Sequence, residues 1–325
     1  MAMAQEVSWQ LDGITMQGTF VRPDGAGPFG AVVLVAGSGP TDRDWCSPLL
    51  PGKNGSARLL AEAFAGAGIA SLRYDKRASG PSAAHNVPKL VGKLSMQSHL
   101  DELVGAVGVL ARQEGVDAQR IVGLGNSEGA LHVLHYATSA QAIPFVGAVL
   151  AGPPGRAVKD VLLAQLALQA AQVPGGDALM SLVREAAARY EAGQPMTPDA
   201  RVPDSIKMVL TSFEAPMNLP LARELWSEDA SRSLARVSIP TLVVIGGHDL
   251  QVDVHADGDR LQASAAGRSN ITFAFPPNAN HVLKEETRSV ADVIATPGNG
   301  YNAEGARLDP DALQTILGWL RGLGI

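Results

Sequence analysis

Only one of the 325 residues is cysteine, so an internal disulfide is impossible and a reducing compartment fits. That residue, Cys46, sits in a polar loop with no adjacent base, which marks an incidental thiol and not a nucleophile. No window of about 18 apolar residues exists to cross a membrane. The opening Met1-Ala2-Met3-Ala4-Gln5-Glu6 lacks the basic and apolar regions of a signal peptide, so a cytoplasmic protein is expected. An excess of positive charge is missing too: the net charge is −6, which gives no support to a nucleic-acid partner. Repeats and low-complexity tracts are absent. Against these absences, 46% hydrophobic and 18% charged residues describe a globular chain with an ample core.

What the chain has in quantity is glycine, and one cluster of it is informative. Gly125-Asn126-Ser127-Glu128-Gly129 centres a serine between an apolar run, Arg120 to Leu124, and a helical pattern, Ala130 to Thr138. A serine thrust out on a sharp strand-to-helix turn needs small residues two positions either side, so this stretch reads as a nucleophile elbow. Gly123-Leu124-Gly125 and Gly129 also resemble a relaxed dinucleotide fingerprint. That reading fails: its third glycine position holds Glu128, and the next strand, Phe145 to Ala151, ends without an acidic residue to hold a ribose.

Val7 to Leu11 and Ile14 to Val21 flank Asp12-Gly13, a hairpin signal. Continuous apolar runs at 31–36, 69–73, 121–124, 145–150, 241–245 and 271–275 predict strands buried on both faces, alternating with helices such as 56–67 and 99–114. The pattern implies an α/β class, a doubly wound, mostly parallel sheet. Between Pro154 and Thr241 it breaks, and the gap is too long for a loop. Helices are expected there at 158–171, at 177–192 with Asp177 as N-cap, at about 203–213 and at 219–228. This predicts a core of residues 1–152 and 233–325 carrying a helical cap at 153–232 over the C-terminal edge of the sheet.

A serine hydroxyl needs a base within reach and a third group to orient that base. Past the run 241–245 comes Gly246-Gly247-His248-Asp249, and past 271–275 comes Pro276-Pro277-Asn278-Ala279-Asn280-His281. Ser127, Asp249 and His281 thus follow the nucleophile, acid, base order of the α/β-hydrolase fold. Asp253 and Asp257 compete with Asp249 as possible surface acids, and His248 reads as a loop anchor. His132 and His135, at i and i+3, have no third ligand at a supporting spacing, so no metal is expected, and no cofactor. The oxyanion of a tetrahedral intermediate needs two N–H donors. Candidates are the backbone N–H groups of Glu128, at a helix N-terminus, and of Ser38 in Gly37-Ser38-Gly39-Pro40-Thr41-Asp42-Arg43-Asp44.

That octapeptide and Arg73-Tyr74-Asp75-Lys76-Arg77 resemble landmarks of bacterial carboxylesterases of the α/β-hydrolase superfamily, in the group with Gly-Ser-Gly-Pro-x-Asp-Arg-Asp after its third strand. The likeness runs from about residue 7 to Trp319 and departs at Ala36, Asn126 and Ala78. It implies that Arg43 and Asp44 brace the oxyanion loop. The expected activity is hydrolysis of small to medium acyl esters through an acyl-enzyme on Ser127, with Met208, Leu210, Phe213, Met217 and Trp226 as possible lining of an acyl pocket. Amide, peptide, thioester or perhydrolysis chemistry uses the same triad, and a non-catalytic ligand-binding protein uses the same fold. The expected partner is a small ester, and the chain is a monomer or homodimer.

Overall fold

The computed structural model describes residues 2–325. β1 (Met3–Leu11) and β2 (Ile14–Arg22) form an antiparallel hairpin, closed by Asp12 and Gly13, both at positive φ as a tight right-twisted turn requires. Alternation follows: β3 (Phe29–Val35), α1 (Ser56–Gly66), β4 (Ala70–Tyr74), a short α2 (Ala83–Asn86), α3 (Met96–Ala111), β5 (Val116–Asn126), α4 (Glu128–Ala137) and β6 (Gly147–Ala151). Five helices then run without a strand: α5 (Val158–Ala170), α6 (Gly176–Glu191), α7 (Asp204–Ser212), α8 (Leu221–Trp226) and α9 (Ala230–Leu234). The chain returns through β7 (Thr241–Val244), α10 (Asp259–Ser264), β8 (Ile271–Ala274), α11 (Val290–Ala295) and α12 (Pro310–Gly322).

One eight-stranded sheet results, in the order β1-β2-β4-β3-β5-β6-β7-β8, parallel from β4 to β8. The strand period of two sends Val33 and Val35 into one core with α3, α4, α9 and α10, and Val32 and Leu34 into another with α1 and α12. The runs predicted as strands sit on these strands, with two differences. β5 starts five residues before Ile121, because Val116 pairs with Phe29 at the sheet's end and the polar residues between Val116 and Ile121 lie in a register shift. β8 is only half-buried, since it is the edge strand.

The helical segment keeps a third core of its own, around Leu166, Val183, Tyr190, Leu210 and Trp226. Tyr190, Phe213 and Trp226 meet edge to face, with centroids 4.8 Å (Tyr190–Trp226) and 5.2 Å (Phe213–Trp226) apart. Fully burying one such large side chain is worth about 1.5–3 kcal/mol, so this cluster contributes much of the segment's own stability. Leu221 and Leu225 of α8 and Leu234 of α9 pack instead into the sheet's core, which binds the segment at its C-terminal end. The two ends of the segment also meet: Val158 N donates to Glu228 O at 2.9 Å, and Ala230 N to Pro154 O at 2.8 Å. α6 begins at Gly176, capped by the left-handed Gly175, so Asp177 lies in the first turn and is not the cap. Among the described residues, no helix is long and apolar enough to cross a membrane.

Candidate active site

Ser127 stands between β5 and α4 at φ 55° and ψ −123°, a region that side chains avoid and that costs about 1–3 kcal/mol. Packing enforces it. A Cβ on Gly125 would lie 2.2 Å from Gly129 O, and one on Gly129 would lie 2.5 Å from Val35 O, so neither position admits a side chain. The Ser127 N–H donates to Ala151 O at 2.8 Å, tying the elbow to the end of β6.

Beyond β7 and β8, His281 Nδ1 lies 2.8 Å from Asp249 Oδ2, with both side chains buried. The other carboxylate oxygen accepts the backbone N–H groups of Gln251 (2.8 Å) and Val252 (2.9 Å), which fixes its orientation. Nδ1 is thereby engaged and Nε2 is the nitrogen left for a proton transfer. The structure joins Asp249 to His281 directly. Ser127 is tied in through the main chain: its neighbour Asn126 is buried, and its Nδ2 donates to His281 O at 2.9 Å. Among the described residues, no hydrogen bond joins the Ser127 hydroxyl to His281. Asp253 and Asp257 are engaged elsewhere. Asp253 caps the turn at 254–258, and Asp257, far from being a solvated surface acid, is fully buried against Arg156 at 2.7 Å. His248 contributes its backbone N–H to Ala279 O.

The loop after β3 is latched to the end of β4. Arg43 Nε donates to Asp75 Oδ2 at 2.9 Å and the Arg43 N–H to Asp75 Oδ1 at 2.8 Å. Arg73 Nε reaches Asp44 Oδ1, and Asp42 Oδ1 accepts from the N–H groups of Asp44 and Cys46 at 2.9 Å. Arg43 is therefore buried among protein groups, while Asp44 is paired but partly exposed. Burial, then Asp42 and Asp44, pushes the Cys46 thiol up to about 12, so it carries no thiolate.

Ser38 and Glu128 face a cavity of about 560 Å³ between this loop and the helical segment. Its far wall is mostly apolar, with Val158, Phe213, Met217, Leu221, Ala222 and Leu225 beside Ser212 and Asn218. Phe213 and Met217 are thus on the cavity, but three other expected lining residues are not. Met208 is 69% exposed, because α7 turns that face outward, while Trp226 and Leu210 are consumed by the segment's own core. Leu221 and Leu225 escaped sequence reasoning because α8 is short and core packing explains its pattern equally well.

The near wall carries Lys76, His99 and Glu128, all buried. His132 Nε2 meets Glu128 Oε1 at 3.1 Å and its ring stacks on His99 with centroids 4.5 Å apart. Donor atoms of His99, Glu128 and His132 fall within 4.8 Å of one another, a third partner that helix spacing around His132 and His135 does not reveal, since His99 comes from α3. The two rings are only 18° from parallel, so their lone pairs do not converge on one ion, and Lys76 Nζ at 3.8 Å already supplies Glu128 with a cation. Despite burial, that ammonium and His132 hold the Glu128 carboxyl well below its ordinary range, while burial and then His99 lower the His132 imidazole to about 4. At neutral pH the pair is a carboxylate and a neutral imidazole.

The model of the family described as serine aminopeptidase, S33, matches residues 54–288, and the chain belongs to that family. The match contains Ser127, Asp249 and His281 and starts after the Gly37–Asp44 loop. Esterase EstD of Thermotoga maritima is 28% identical over 269 residues, covering 82% of this chain; the chain spans 58% of that protein's length. Among solved structures, an esterase of Pyrococcus furiosus superposes with a TM-score of 0.58 at 15% identity, over 99% of this chain and 91% of that one. A proline iminopeptidase of Mycobacterium smegmatis gives 0.57 at 14% identity, over 98% of both chains. The fold is the α/β-hydrolase fold.

Proposed function

We propose that the protein is a serine carboxylesterase. Ser127 attacks the ester carbonyl, His281 takes its proton and returns it to the leaving alkoxide, and Asp249 orients the imidazole. The N–H groups of Ser38 and Glu128 receive the oxyanion, and the Gly37–Asp44 loop is the esterase-type oxyanion loop. Water then repeats the cycle to free the acid. One observation carries the reading: a strained serine at a glycine-enforced elbow, in a chain whose last two strand ends hold a buried Asp249–His281 pair 2.8 Å apart. Residues 153–232 act as a cap, and the cavity beneath them favours small to medium acyl esters because its cap wall is mostly apolar.

The resemblance to esterase EstD supports esters over amides. So does the cavity. An aminopeptidase would need an acid free to hold an α-ammonium, and the one carboxylate on the cavity, Glu128, is engaged by Lys76 and His132. We place the protein in the cytoplasm as a monomer or homodimer. A fluorophosphonate should label the wild type and not Ser127→Ala, and p-nitrophenyl esters of graded length should turn over faster than matched amides and thioesters. An unlabelled wild type sinks the proposal; faster amide turnover moves it to peptidase chemistry.

A further inference from the structure

Three cations surround the loop after β3, and two of them suffice as latches: Arg43 on Asp75 and Arg73 on Asp44. The third, Lys76, is placed differently. It is 5% exposed, and its Nζ donates to the carbonyl oxygen of Gly37. Gly37 C=O and Ser38 N–H belong to one planar trans amide, so they point in opposite directions along a single rigid unit. A cation on the oxygen draws electron density through that unit, which makes the N–H a stronger donor and fixes its direction. Burying an ammonium is costly without a partner, and the partner here is Glu128, 3.8 Å away, backed by His132 and the stacked His99. Glu128 is also the residue after the elbow serine.

We propose that Lys76 is a positioning residue that arms both oxyanion donors at once: it polarises the Gly37–Ser38 amide from behind and holds Glu128 by its side chain. This inference rests on the esterase reading above. In it, the Lys76–Glu128 pair is the electrostatic backing of the oxyanion hole, and His132, stacked on His99, holds the carboxylate in place.

The test compares wild type with Lys76→Met and Lys76→Gln, the second of which keeps an N–H for the Gly37 carbonyl while losing the charge. Each is measured for kcat and KM on p-nitrophenyl butyrate, for Ki of a trifluoromethyl ketone that forms a tetrahedral adduct, and for Tm. Lys76→Met should lose about 10²-fold in kcat, weaken the ketone by a similar factor and leave KM within about twofold. Lys76→Gln should fall between it and wild type, about tenfold down in kcat. Where the Met variant does not melt cooperatively, the Gln variant carries the test alone. Unchanged kcat and Ki in Lys76→Gln overturn the proposal, as does a loss shared equally by KM. A wild type that no fluorophosphonate labels overturns the esterase reading beneath it, an outcome distinct from either.

Discussion

The two walls of the cavity are built on opposite plans. The wall from the sheet, with Ser38, Lys76, His99 and Glu128, is polar, and most of its groups are held by named partners: Gly37 O, Ser95 O and His132. The wall from the helical segment is mostly apolar and draws on two cores: Phe213 packs on Tyr190 and Trp226, whereas Val158, Met217, Leu221 and Leu225 pack with the sheet's core. Polar groups are thus placed where strand ends converge, and the apolar surface on helices that are stabilised partly by their own core and partly by the sheet's. A change in the first wall should cost rate with little loss of fold, and a change in the second should alter stability or substrate choice with the reaction intact.

The sharpest break of this contrast is Ser127→Ala, which should remove at least about 10⁵-fold in kcat; alanine keeps the Cβ and with it the same backbone strain, so Tm should change little. A variant that retains turnover, or that melts well below wild type, refutes the division. Next comes the acid and base: Asp249→Asn and His281→Ala should each lose about 10³- to 10⁴-fold in kcat, read on a short-chain ester with circular dichroism as the check on folding. Behind the other wall, Trp226→Ala removes the centre of the helical segment's core and should cost about 3–5 kcal/mol in that unit, seen as an early melting phase and hydrogen exchange across α6 to α8. Loss of Ser127 labelling in step with that phase would show that the walls are not independent. Met217→Trp should shift the preferred acyl length downward by narrowing the cavity, whereas Met208→Ala should change stability by no more than about 0.5 kcal/mol and preference not at all.

The smallest effect concerns pH. The buried His132 binds a proton less readily when folded, near pH 4, than when unfolded, near 6.5. The unfolded chain therefore takes up the proton first, and stability contributed by the neutral imidazole is lost as pH falls from 6.5 toward 4. Tm measured across that window should decline in wild type and decline less steeply in His132→Gln.

The same contrast explains what was readable in the chain. Strands buried on both faces leave apolar runs bounded by turn residues, so Ala31 to Ala36 or Thr241 to Ile245 could be located, and Asp249 and His281 followed from lying just past such runs. The elbow announced itself because Gly125 and Gly129 are sterically forced. Cap residues gave no comparable signal. A hydrophobic residue on a helix packs its own core or faces a cavity with identical spacing, which is why Met208, Leu210 and Trp226 were misplaced beside Phe213 and Met217. Lys76 and His99 were invisible for another reason: their meaning depends on contacts across the fold, to Gly37 and to His132, which no local pattern encodes.

The paired ends of the helical segment, Val158 on Glu228 and Ala230 on Pro154, make it a graft on a single stem. Because entry and exit already lie side by side, the chain between them can lengthen, shorten or be replaced at little cost in loop closure, provided the replacement brings its own core. Selection on substrate range can therefore act by exchanging this cassette whole, with the stem as the suture and the strand ends below left untouched.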